Sequence, residues 1–345
     1  MTTIPWQQSF PQSAEVFPFM LDTAQDELLL MRLSEEDFAA ASFLDERLFS
    51  ASAQKHVVPW AEVAAIDLPQ TPQPDYIFHI GHVGSTLISR LLGEVSGVFA
   101  LREPLLLRAL AEMRSADDFT VRKEKTVAWL SRSFRKTDRA MIKATSFVSG
   151  IAGQLLNKDS RALFLYLPLQ SYMETILAGE ASLRETEAMA QSRLERINTR
   201  LDLPVEFGAE SGVYQQVAVS WLCEMACLFE AQKLQPDARI MWIDFNQFLT
   251  APKDSWAGLL AHFDLQMTAG ESCELLSGPI MTSYSKAPEH SYDADLRGQL
   301  LAQAREKHGA GIAECRLWVD GLAKQHPLIE KLLNFSDRDG SCSSI

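Results

Sequence analysis

From Asp75 onward, short apolar runs alternate with longer stretches whose apolar positions recur at helical spacing. The runs at 76–80, 98–101, 139–145, 161–167 and 238–243 have strand length. The stretches at 104–113, 119–136, 146–157, 182–201 and 212–233 read as amphipathic helices between them. Continuous apolar strands separated by helices predict a three-layer α/β fold, with a central parallel sheet covered on both faces. After the last run come a helix near 253–263, a polar connection, and two further helices over 292–307 and 310–324. Before Asp75, acidic and apolar residues between Thr23 and Phe49 fall at helical spacing, with Leu28, Leu29, Met31, Leu33, Phe38, Phe43, Leu44 and Leu48 as the apolar set. This predicts a helical N-terminal extension over 1–74, joined through Pro59, Pro69, Pro72 and Pro74 to a main domain over 75–335. A flexible tail is expected over 336–345.

Composition narrows the partners. The 345 residues are 47% hydrophobic and 22% charged, enough for a full core. A formal charge of -13 and a pI near 5.1 disfavour nucleic acid or an anionic membrane as partner, but leave room for a small anion held by a local cluster. The five cysteines include no CxxC pair, and the chain is too long to need disulfide staples, so reduced thiols and a cytoplasmic location are expected. Cys223 and Cys227 share a helix face and read as small core residues. The first residues have no signal-peptide pattern, and no apolar stretch is long enough to span a bilayer.

Candidate chemistry concentrates after the first strand of the main domain. Gly81, His82, Val83, Gly84, Ser85 and Thr86 form a tight, glycine-bearing turn, and Leu87, Ile88, Leu91, Leu92 and Val95 then mark one face of a helix. Strand, glycine loop and helix together aim backbone N–H groups and a helix N-terminus at an anion, with two hydroxyls beside them. Arg90 lies one turn into that helix. The loop is not a GxxxxGK[ST] motif, because no lysine precedes Ser85 and Thr86. Ligands of parallel sheets sit beyond the carboxyl ends of strands, so residues 102–104, 143–146, 168–175 and Asp244 join the candidate set.

Several segments together resemble the sulfotransferase superfamily, a P-loop-like fold. FHIGHVGSTLISRLL (78–92) is similar to its 5′-phosphosulfate loop, often written PRSGTT-L. LREP (101–104) falls where members carry a catalytic glutamate, MIKAT (141–145) resembles their lysine-bearing strand, and IMWIDFNQFLTAP (240–252) resembles a late strand and the segment behind it. The blocks are scattered over residues 75 to 325. The chain departs from the pattern at His82, where the family has Lys or Arg. It departs again at the 3′-phosphate site, where R-x-P and a following Ser are replaced by Tyr166, Pro168 and Glu174.

The resemblance implies an enzyme that moves a sulfuryl group from 3′-phosphoadenosine 5′-phosphosulfate (PAPS) to a small-molecule hydroxyl, without a required metal. Glu103 would be the general base, with Lys143 and His82 on the transferring group. Gly81 to Thr86, Arg90, Ser171, Thr175 and a late basic loop at Lys286 would hold the nucleotide. Two other readings stay open: a divergent P-loop kinase or hydrolase using Thr86 or Asp244 on Mg²⁺, and a non-catalytic relative that binds a nucleotide or partner.

Overall fold

The computed structural model describes residues 5–50, 54–207, 212–283 and 294–337. Its main sheet has five parallel strands: β4 (Asp75–His79), β5 (Val98–Arg102), β6 (Arg139–Lys143), β7 (Arg161–Tyr166) and β8 (Arg239–Asp244), in the order β5-β6-β4-β7-β8. Each answers one of the five apolar runs. β4 and β7 are buried along their whole length, as expected of strands covered on both faces. The flanking helices used below are α1 (Ser85–Gly93), α2 (Leu105–Glu112), α3 (Phe119–Leu130), α4 (Leu169–Leu177), α5 (Glu180–Asn198), α6 (Val213–Leu234) and α7 (Ala294–Ala323). No helix among the described residues is long and apolar enough to cross a membrane.

The N-terminal part is not a helical extension. Val16–Asp22 (β1), Glu27–Arg32 (β2) and Lys55–Pro59 (β3) form an antiparallel sheet, and the only α-helix inside the 23–49 stretch is Glu35–Ala40. The turn chemistry decides it. The Asp22 carboxylate accepts from the N–H groups of Ala24 and Gln25, and Asp26 takes a φ of 54°, which closes a hairpin where a helix would need to continue. The strands then alternate between two cores. Val16, Leu28, Leu30 and Val58 meet Trp6, Phe10, Trp60 and Trp129, whereas Phe17, Phe19 and Met31 join the main core.

Two other expectations change. The segments 292–307 and 310–324 are one helix, α7. Gly311 sits inside it because a Cβ there would fall 2.4 Å from the Tyr214 ring of α6, so close helix approach outweighs glycine's poor propensity. The 146–157 stretch splits into a 3₁₀ helix (Ser146–Ile151) and a short α-helix (Ala152–Leu155), and the residues after β7, for which the sequence predicts no element, form α4.

Candidate functional site

The loop after β4 is held open by local geometry. Gly81 and Gly84 have φ of 89° and 71°, and His82 between them has 54°, left-handed values that cost a non-glycine residue about 1 kcal/mol or more. Gly84 is also required sterically: an added Cβ would lie 2.1 Å from the Phe245 ring. The Gly81 N–H donates to His79 Nδ1 at 3.0 Å. The first bond of α1 runs from Ile88 N to Gly84 O, and Gly84 provides no side-chain cap. The N–H groups from Val83 to Leu87 therefore donate to no acceptor among the described residues, and neither do the hydroxyls of Ser85 and Thr86. Buried polar groups are nearly always paired, so a run of open donors at a helix start marks an anion cradle.

Beside this cradle stand three titratable groups from adjacent strand ends. Lys143 closes β6 and pairs with the Glu103 carboxylate. The Lys143 side chain is 1% exposed and that of Glu103 22%, so the pair opens on the glutamate side. Glu103 follows β5 with a φ of 55°, fixed by its N–H donating to Lys143 O at 2.7 Å. His79, at the end of β4, places Nε2 3.9 Å from Glu103 Oε1. Because its Nδ1 accepts from Gly81, Nε2 is the nitrogen that carries the proton.

The N-terminal region supplies a wall. Leu44 N donates to Arg102 O at 2.7 Å, and the Phe43 ring lies between the Arg47 guanidinium, 3.8 Å from its centroid, and the Lys143 ammonium at 5.0 Å. Arg47 is held above its ordinary pKa by its hydrogen bond to Asp45, with smaller support from Glu103. Buried Arg102 donates to the carbonyls of Phe38 and Ala41, and burial lowers its pKa to about 10.

A cavity of about 970 Å³ lies beyond β7 and β8, with Ser171, Glu174, Asp244, Arg305, Arg316 and Asp337 among its lining. Glu174 is 2% exposed and accepts from Arg305 Nε at 2.9 Å and Gln170 Nε2 at 3.1 Å. Arg305, on α7, is thus the cation that answers the carboxylate at this unexpected position. Ser171 Oγ accepts from Asn246 Nδ2, whose side-chain oxygen accepts from Arg297, and Asp244 caps the following turn through the Asn246 N–H. Burial raises the Asp244 pKa. Tyr166 packs among Trp242 and Phe335.

Gly81 to Thr86, Glu103 and Lys143 thus come together at one end of the sheet. The His82 ring turns to Glu185 of α5, with Nε2 3.1 Å from Oε2. Arg90 reaches Ser42 and faces buried Arg102; Thr175 donates its hydroxyl to Ser171 O within α4. Lys286 lies outside the described residues. Sequence reading missed Phe43, Arg47 and Arg305, which arrive from remote segments, and assigned no role to His79. The one local signal was the place of His79 as the last strand residue before the loop.

No protein-family profile and no curated protein matches the chain. Among solved structures it is similar to the sulfotransferase domain of the curacin biosynthetic pathway (12% identity, 70% of this chain and 99% of that one, TM-score 0.43). It is also similar to the sulfotransferase domain of the Synechococcus PCC 7002 olefin synthase (12% identity, 69% and 90%, TM-score 0.38) and to mouse sulfotransferase SULT7A1 complexed with PAP (11% identity, 80% and 92%, TM-score 0.38). The fold assignment rests on the sheet topology itself.

Proposed function

We propose that the chain transfers a sulfuryl group from PAPS to the hydroxyl of a small molecule. The observation that carries this reading is the run of open N–H donors from Val83 to Leu87, set against the Lys143–Glu103 pair. A nucleotide phosphosulfate brings an activated sulfuryl group and a good leaving phosphate. The loop N–H groups, Ser85 and Thr86 bind its 5′ end and orient the sulfur for in-line attack. Lys143 stabilises the charge that develops on the transferred oxygens. Glu103, the more open partner of the pair, takes the proton from the acceptor hydroxyl, and the His79 Nε2–H steadies the carboxylate as it does so. Phe43 and Arg47 border the acceptor side and limit water there.

The fit differs at the two ends of the nucleotide. The phosphosulfate end is matched by the open cradle. At the 3′ end the cations among the described residues are Arg297, Arg305 and Arg316; Arg305 is bound to Glu174 and Arg297 donates to Asn246. That altered end supports a second reading, in which the chain binds a nucleotide without turning it over.

Calorimetry with adenosine 3′,5′-bisphosphate, AMP and ATP–Mg²⁺ tests the ligand. Binding of the bisphosphate in preference to the other two is expected, and Mg²⁺-dependent ATP binding in its place would overturn the proposal. Glu103→Gln should keep bisphosphate affinity and lose turnover by about a hundredfold or more. Unchanged turnover removes Glu103 from the mechanism, whereas binding with no turnover in the unaltered chain selects the second reading.

A further inference from the structure

Away from the cradle, α5 and α6 bury an ionic seam that the proposed reaction does not use. Arg193 and Arg196 both pair with Glu224, which is wholly buried and also accepts from Ser149. Arg200, one turn on, pairs with Glu230 at 2.6 Å. Three guanidinium groups thus face two carboxylates across the two helices, leaving one positive charge over. Cys227 occupies the gap. Its Sγ lies 3.3 Å from Arg196 Nη2, and Cys223 sits one helical turn earlier on the same buried face of α6. Cys227 also forms part of the wall of a cavity of about 200 Å³, with Arg114, Ser149, Gly150, Arg196, Arg200 and Glu230 around it. Arg200 and Glu230 keep part of their side chains in solvent and stand at the mouth of that cavity.

We propose that Cys227 is an oxidation site, a cysteine in the wall of this cavity that a small peroxide converts to a sulfenic acid. The cavity admits a molecule of peroxide size, and the seam supplies the cationic surroundings that a reactive cysteine needs. The neighbouring Cys223 thiol, with Arg196 and Arg200 behind it, lowers the Cys227 pKa to about 7 against burial and Glu224, while burial raises that of Cys223. In the reaction the thiolate attacks one peroxide oxygen, and the S–O bond forms as the O–O bond breaks. The departing hydroxide takes a solvent proton and leaves as water. Sulfur loses two electrons and the peroxide gains two. The neutral product no longer balances Arg196. The inference is independent of the sulfuryl-transfer reading.

The test treats the full chain with hydrogen peroxide in the presence of a 1,3-dione that traps sulfenic acids, and maps the adducts by mass spectrometry. At pH 7, adduct at Cys227 is expected several-fold faster than at exposed Cys273, in protein that keeps its circular dichroism. Arg200→Gln, at the cavity mouth, should slow the Cys227 adduct about threefold or more at pH 7. Adduct at Cys223, adduct at Cys227 only after unfolding, or an unchanged rate in Arg200→Gln would overturn the assignment.

Discussion

The two ends of the parallel sheet both gather charge, and they treat it differently. At the amino ends, Asp75 of β4 meets Arg139 of β6, with Arg161 and Arg239 paired in register on β7 and β8. Partners close most of these groups: Arg139 also donates to Gln73 O, and Arg161 donates to Phe263 O and bonds Asp264, whereas Arg239 stays exposed. At the carboxyl ends Arg102, Glu103, Lys143 and Asp244 bring as many charged groups, and there Val83 to Leu87 also present donors with no acceptor among the described residues. Counting charges alone would not have separated the two ends. The better guide to a site is polar capacity left unused by the fold.

Three substitutions would break or sharpen this contrast. The largest effect is expected from Gly84→Ala, which forces a Cβ toward Phe245 at a left-handed backbone position. It should cost about 3 kcal/mol or more in urea unfolding and abolish bisphosphate binding. Lys143→Met comes next. Glu103 keeps access to water, so stability should change by about 1 kcal/mol or less, while bisphosphate affinity falls about tenfold or more in calorimetry.

Asp75→Asn probes the closed end and should move in the opposite direction. Burial lifts the Asp75 pKa to about 6 despite Arg139, Arg161 and Arg239. A carboxyl whose folded pKa lies above its unfolded value of about 3.9 binds its proton more tightly when folded. It therefore penalises the fold increasingly as pH rises from about 4 to about 6, and the penalty is complete above that range. Asp75→Asn should raise stability by about 1 to 3 kcal/mol at pH 7 and by nothing near pH 4, with bisphosphate affinity unchanged. Loss of affinity in this variant would mean that the two ends are coupled.

The sheet and its cradle were legible because their signals are local. Five apolar runs of strand length set the strands, and glycines at 81 and 84 with hydroxyls at 85 and 86 marked the loop. The N-terminal hairpin was not, because Glu27 to Leu33 carries apolar residues at nearly every position and satisfies a helical stripe as readily as a two-sided strand. The turn at Asp22 was the deciding feature, and it went unread. Arg305 could not be read at all. It reaches Glu174 from 131 residues away, and spacing says nothing about such meetings.

Arg132 binds the N-terminal sheet to the rest of the protein. It sits just past α3 and donates to the carbonyls of Phe10, Ser13 and Val16, which lie 122, 119 and 116 residues upstream. During synthesis, the first hairpin leaves the ribosome long before this guanidinium exists to clasp it. At about 5 to 20 residues per second, β1 and β2 wait several seconds for their clasp, with two apolar faces to shield. The wall of the site formed by Phe43 and Arg47 is therefore a late product of translation, completed only when a segment more than a third of the way along the chain has emerged. Nascent chains halted before Arg132 should expose these strands to proteases and holding chaperones, and chains halted only after Arg132 has cleared the ribosome should not.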